Sequence, residues 1–408
     1  ADVRAHAGGL AVAKASNSYA TATLEASGYA YVYSNDLMAT GGMGADEINV
    51  KYDAAISASA TGKAQATGTS ADAYIYADAS AYNSSNDITL NGGSNTSMDG
   101  NDVVSLNMTA DAKAKAIGTA AAVGTVWTAS ATLSANAGAY NESQDVYMYG
   151  GNGSDSLSLD MNALAVATAS GKAQATAQSG EYASALLYAS ADVYNSYIYN
   201  YMYGSDGNDM LDVSLLASAN AKANGSAIAN ASSATYYAQA SLSVDVTAFN
   251  NDISNNIYGS AGSDTIDVDL LAKGVATASG LASANGGPDE ADAYILASAY
   301  SIGNTSMYNY LYGGDGNGST ADGDDLLSVN AWASGSAVAK GSALADASGA
   351  SFSSWNFDRA TAGITAYASN MGNWYGTNSL YGSAGSDTLS VNVGADAYAL
   401  ASGLAKAT

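Results

Sequence analysis

Tyr203-Gly204-Ser205-Asp206-Gly207-Asn208-Asp209-Met210-Leu211-Asp212-Val213 decides the fold, because the phrase returns along the chain at a near-constant distance. It stands again as Tyr149-Gly150-Gly151-Asn152-Gly153-Ser154-Asp155-Ser156-Leu157-Ser158-Leu159 and as Tyr381-Gly382-Ser383-Ala384-Gly385-Ser386-Asp387-Thr388-Leu389-Ser390-Val391. The anchoring aspartates are Asp46, Asp102, Asp155, Asp209, Asp264, Asp325 and Asp387, separated by 56, 53, 54, 55, 61 and 62 residues. Seven copies therefore tile the chain, and a fixed period of this size marks a repeat architecture.

Columns without a gap appear on counting forward from each aspartate. Two residues on stand Ile48, Val104, Leu157, Leu211, Ile266, Leu327 and Leu389, and four on stand Val50, Leu106, Leu159, Val213, Val268, Val329 and Val391. Eight on is always alanine, from Ala54 to Ala395, and sixteen on is always glycine, from Gly62 to Gly403. All these offsets are even, whereas Lys63, Lys115, Lys172, Lys222, Lys273, Lys340 and Lys406 fall at odd offsets. Alternation of small apolar and polar positions is the period of a strand, and it overrides the helix propensity of alanine. A second alternating segment follows in each copy, as in Ala71-x-Ala73-x-Ile75, Ala183-x-Ala185-x-Leu187 and Ala360-x-Ala362-x-Ile364.

Each repeat thus reads as two long strands and two turns. Identical inward columns mean that copy stacks on copy in register. The expected fold is all-β: a flattened two-sheet parallel β-solenoid, of the β-helix or β-roll kind, with seven stacked coils of roughly 55 residues. The chain is read as one domain, 1–408, with a partial coil at 1–36, stacked repeats over 37–381 and a partial coil at 382–408. Glycine at offset sixteen is expected to be an inward small residue like the alanines. The only proline, Pro288, and the insertions Ser94 to Asp99 and Ser319 to Gly323 are placed in surface turns.

Composition narrows the function. The 408 residues include no cysteine, 44 glycines, 12 basic and 37 acidic side chains, for a net charge of −25. Such acidity opposes nucleic-acid binding, which rests on Lys and Arg neutralising phosphates. No apolar run approaches the ~20 residues of a membrane helix, so membrane insertion is not expected. The sole histidine, His6, lies at a polar offset near the N-terminus, and no HExxH or P-loop occurs, so the chain reads as non-enzymatic. Outward lysines are read as offsetting nearby carboxylates, and the tyrosines as stacking between layers rather than as an adhesion face.

Leu311-Tyr312-Gly313-Gly314-Asp315-Gly316-Asn317 and its relatives resemble the calcium-binding nonapeptide of RTX (repeat-in-toxin, hemolysin-type) proteins, G-G-x-G-x-D-x-U-x. The resemblance implies Ca²⁺ held by turn carboxylates and carbonyls, with Asp46, Asp102, Asp155, Asp209, Asp264, Asp325 and Asp387 as ligands and Asp206 and Asp315 as auxiliary acids. The chain departs from that pattern in having one phrase per repeat rather than tandem nonapeptides. Serine also replaces the second glycine at Ser205, Ser260 and Ser383. The alternative is a glycine-rich turn whose aspartate accepts backbone N–H bonds.

Ala1, Ala5, Ala7, Gly9, Ala11 and Ala13 match offsets eight to twenty of the first strand, so the sequence given opens inside a repeat. Uncapped solenoid ends are edge strands seeking a partner. The expected function is an extracellular or cell-surface structural subunit, a processed chain that joins identical subunits head to tail into calcium-stabilised filaments. Residues 1–15 or 392–408 are the candidate donated strand. The alternative is a monomeric RTX-like surface adhesin or surface-layer protein with a glycan or cell-surface partner. An ice-binding solenoid ranks lower because regular T-x-T rows are lacking.

Overall fold

A computed structural model describes residues 1–93, 100–179, 181–231, 237–286, 290–314, 323–347 and 359–408. Two parallel sheets hold almost all of them. The first contains β1 (Asp2–Lys14), β4 (Glu47–Gly68), β6 (Val103–Gly124), β8 (Ser156–Ala177), β10 (Met210–Ala231), β12 (Thr265–Asn285), β14 (Leu326–Asp346) and β17 (Thr388–Ala407), adjacent in that order. The second contains β2 (Tyr19–Tyr33) with β3 (Asp36–Thr40), then β5 (Ser70–Asn91), β7 (Thr128–Tyr149), β9 (Tyr182–Asp206), β11 (Tyr237–Ala261), β13 (Glu290–Tyr312), and finally β15 (Arg359–Trp374) with β16 (Thr377–Tyr381). One first-sheet strand and the second-sheet strand after it make a coil. Coils 1 to 7 stack in chain order, and β17 lies beyond coil 7. The protein is a flattened parallel β-solenoid.

Register is kept from coil to coil. Ala58 lies over Ala5, Ala114 over Ala58, and Ala167 over Ala114, and the same alignment continues to Ala337 and Ala399. Alanines from both sheets bury completely against one another, and Leu, Ile, Val and Met form a second core beside the Gly/Asp turn. A methyl fills little space, so the alanine half is held by close van der Waals contact and by the backbone ladders rather than by bulky burial.

The glycine column corrects an expectation. These residues are not inward core positions; they turn a corner in the first sheet, with φ between +135° and +147° from Gly62 to Gly403. A Cβ on Gly225 would lie 1.9 Å from the carbonyl oxygen of Gly171, one coil below. Only glycine combines that backbone with that approach. The second sheet turns its own corner with non-glycine residues of positive φ, namely Ser34, Ser85, Ser143, Tyr197, Asp252, Ser306 and Tyr375, at +50° to +55°. At the first and last of these corners the strand is interrupted, which divides β2 from β3 and β15 from β16. The lysines point outward as expected, but they occupy several different columns and form no single stripe. Pro288, Asp315, the 94–99 insertion and most of the 319–323 insertion lie outside the described residues.

Candidate functional site: stacked turns, amide ladders and a tyrosine face

The seven anchoring aspartates come together as one axial column at the Gly/Asp turn. From Asp102 onward, each Oδ1 accepts the backbone N–H of the aspartate one coil earlier. Asp46 donates to Asp102 at 2.7 Å, Asp102 to Asp155 at 2.8 Å, Asp155 to Asp209 at 2.8 Å, and Asp209 to Asp264 at 2.8 Å. Asp264 continues to Asp325 at 2.9 Å and Asp325 to Asp387 at 3.1 Å. The carboxylates fold back onto the turn glycines: a Cβ at Gly204 would stand 2.2 Å from Asp209 Oδ2, and one at Gly382 2.1 Å from Asp387 Oδ2. That contact is why glycine precedes each aspartate, five residues ahead at Gly41, Gly150, Gly204, Gly259 and Gly382, and ten and twelve ahead at Gly92 and Gly313, where the insertions intervene. Burial raises the Asp209 carboxyl to about 8, against the backbone N–H that favours its charged form; neighbouring Asp264, Asp155 and Asp206 add repulsion.

This arrangement is the backbone-accepting turn. Calcium takes six to eight oxygen ligands, whereas Oδ1 of each inner aspartate is engaged with a backbone N–H and the carboxylate rests on glycine. Asp206 is exposed at the tip, where its carbonyl receives the Gly153 N–H at 2.8 Å. Among the described residues, no group of three or more His, Asp or Glu could hold a metal ion. In the described ladder one oxygen of each inner carboxylate is committed to a backbone N–H, as the alternative reading of the turn phrase expects.

The sequence reading missed the buried amides. Asn83, Asn141, Asn195, Asn250, Asn304 and Asn373 form a continuous ladder at the second-sheet corner, each Nδ2 donating to the next Oδ1 at 2.9, 2.8, 2.8, 2.7 and 2.6 Å. A second ladder runs Asn200, Asn255, Asn309, Asn378 at 2.7, 2.6 and 2.7 Å. A third, shorter run joins Asn35 to Asn86 at 3.0 Å and Asn86 to Gln144 at 2.8 Å. All of them point the same way along the axis. Their one legible signal was the recurrence of asparagine at the repeat period, hidden among many other polar residues.

Aromatic rings form outer columns on the second sheet, as the stacking reading expected. Tyr31, Tyr82, Tyr140, Tyr194 and Phe249 follow one another at 4.8, 4.7, 4.4 and 5.4 Å between ring centres. Nearer the turn, Tyr149, Tyr203, Tyr258, Tyr312 and Tyr381 share one column over five coils. Burial raises the Tyr194 phenol to about 12, with Glu142 the next contributor.

No protein-family profile, curated protein or solved structure matches the chain.

Proposed function

We propose that this protein is a non-enzymatic structural subunit that joins copies of itself head to tail into filaments outside the cell. The observation that supports the reading is the identity of the rungs. From β4 to β17 the same columns recur at every level, so an outermost strand offers a neighbour what an interior strand offers. At β17, Leu389 is 49% and Val391 47% exposed, while their equivalents Leu327 and Val329 one coil below are 0% exposed. Covering such a rung with another copy adds backbone pairing and apolar burial together. Residues 1–15 or 392–408 would act as the donated strand.

Negative-stain microscopy of the 408-residue protein tests this: unbranched filaments are expected, and deletion of residues 1–15 should stop their elongation. Persistently monomeric protein at high concentration would refute the reading. Because the aspartate ladder rests on N–H donors, filament length and thermal stability should survive excess EGTA. Dissolution by the chelator would restore calcium to the structure of the fibre.

A further inference from the structure

The outer face of the second sheet beside the Gly/Asp turn changes character along the axis. In coils 4 to 7 its three outward columns hold Tyr199, Tyr201 and Tyr203, then Ser254, Asn256 and Tyr258, then Tyr308, Tyr310 and Tyr312, then Thr377, Ser379 and Tyr381. None of these twelve side chains is charged, in a chain of net charge −25. Below them, the first of these columns, that of Tyr199, carries Asp36, Asp87 and Asp145. The rings lie 5.4 to 6.5 Å apart and leave a hollow of about 370 Å³ among Tyr203, Tyr258, Tyr310 and Tyr312, beside which Tyr308 projects at 56% exposure.

We infer that this tyrosine face is the lateral contact between one filament and another, so that its occupant is the same face of a second copy. The inference rests on the filament reading above. Two chains of this charge repel wherever their acidic surfaces meet, and this face lets them approach without opposing carboxylates. Aromatic enrichment with depletion of charge is the composition of an interface centre, and tyrosine is a frequent hot-spot residue. The projecting Tyr308 of one copy and the ring-lined hollow of the other are complementary when the two faces meet about a two-fold axis.

Size sets the behaviour. At ~4.8 Å between coils and ~3.3 Å per residue, the patch measures roughly 20 by 15 Å, on the order of 300 Å². A stable dimer covers about 800 Å² on each partner, so a single face falls well short. Monomers therefore pair weakly, whereas a filament repeats the face at every subunit and gains avidity from the array. Lateral bundling should follow filament formation rather than precede it, and it should strengthen with salt as the charges are screened.

The test compares wild type with Tyr308→Asp, an exposed position, and with Tyr308→Phe, which keeps the ring. Wild-type and Y308F filaments should bundle as salt rises. Y308D filaments should elongate normally yet pellet at low speed about tenfold less, as expected when an avid array loses its contact. Wild-type filaments that remain single at every salt concentration, or Y308D filaments that bundle like wild type, would overturn the inference. If no filaments form, the filament reading fails, and sedimentation equilibrium at high salt still decides the face. Weak wild-type self-association absent from Y308D supports it, and equal behaviour of the two overturns it. Wild-type protein that co-sediments with insoluble cellulose through Tyr308 and is thereby released from bundles would reassign the face to a neutral glycan.

Discussion

Coils 1 to 3 and coils 4 to 7 solve the same packing problem with opposite side-chain orders. In the lower block, Asn35, Asn86 and Gln144 occupy one inward column, and Leu37, Ile88 and Val146 occupy the next one toward the turn. In the upper block, Ile198, Ile253 and Met307 take the first column, and Asn200, Asn255, Asn309 and Asn378 take the second. A buried amide needs an amide above and below it, so asparagine must come in blocks. Where the blocks meet, Gln144 uses its extra methylene to fold back onto the carbonyls of Asn83 and Glu142, at 2.9 and 2.6 Å. On the other side of the boundary, Asn200 Oδ1 faces Val146 and has no hydrogen-bond partner. The exchange coincides with the change from an acid-edged to a tyrosine-covered outer face. One backbone rung therefore supports two surfaces and two interiors.

What the blocks share should be the most sensitive to change. Gly225→Ala places a methyl against the Gly171 carbonyl at a positive φ, and we expect a loss of about 3 kcal/mol or more in urea unfolding. A loss no larger than that of a surface substitution would remove the corner from the account. The second test breaks one block. Asn255→Leu leaves the amide of Asn200 and the carbonyl of Asn309 unmatched, with an expected cost of roughly 2 to 4 kcal/mol. Replacing Asn200, Asn255, Asn309 and Asn378 together with isoleucine removes every partner at once and should cost less than the single change. Equal or additive costs by denaturant titration would show that the ladder is not a unit.

Protons sharpen the comparison further. The Asp209 carboxyl is raised to about 8 in the fold, against ~3.9 in an unfolded chain. Between those values the folded state holds a proton that the unfolded state has released. The associated stability is complete below pH ~4 and is lost as pH rises through about 8. Asp209→Asn keeps an Oδ1 acceptor without the titration, so its unfolding midpoint should depend less on pH across that window. Parallel curves for the two proteins would count against a raised Asp209 carboxyl. The smallest effect is expected in the alanine core: Ala221→Leu should overpack it by about 1 to 3 kcal/mol, seen as a lower thermal midpoint.

Much of this architecture was legible in particular residues. Ala110, Ala163 and Ala217 at a constant offset, with polar neighbours at odd positions, fixed both the strand period and the stacking, because only a parallel, in-register stack superimposes such columns. The glycine at offset sixteen was visible but misread, since composition cannot distinguish a small core residue from one whose φ is positive. Ser85, Tyr197 and Asp252 gave no sign of their corner, because three unlike side chains share a backbone angle that the neighbouring coils impose on them.

The turn phrase shows the same limit. Its residues resemble a calcium loop, yet the direction of each carboxylate depends on the backbone N–H one coil away, at a separation of more than fifty positions. The asparagine ladders also escaped notice: the long one is hidden among other polar residues, and the column of the two shorter ones shifts by two residues between coils 3 and 4, an exchange that only the stacked neighbours reveal. The sequence by itself determined the period, the strands and their parallel stacking, since alternation and repetition are written in the chain. Only the tertiary structure decided where amides, carboxylates and rings meet across coils, because those contacts join residues that are distant in sequence and adjacent along the axis.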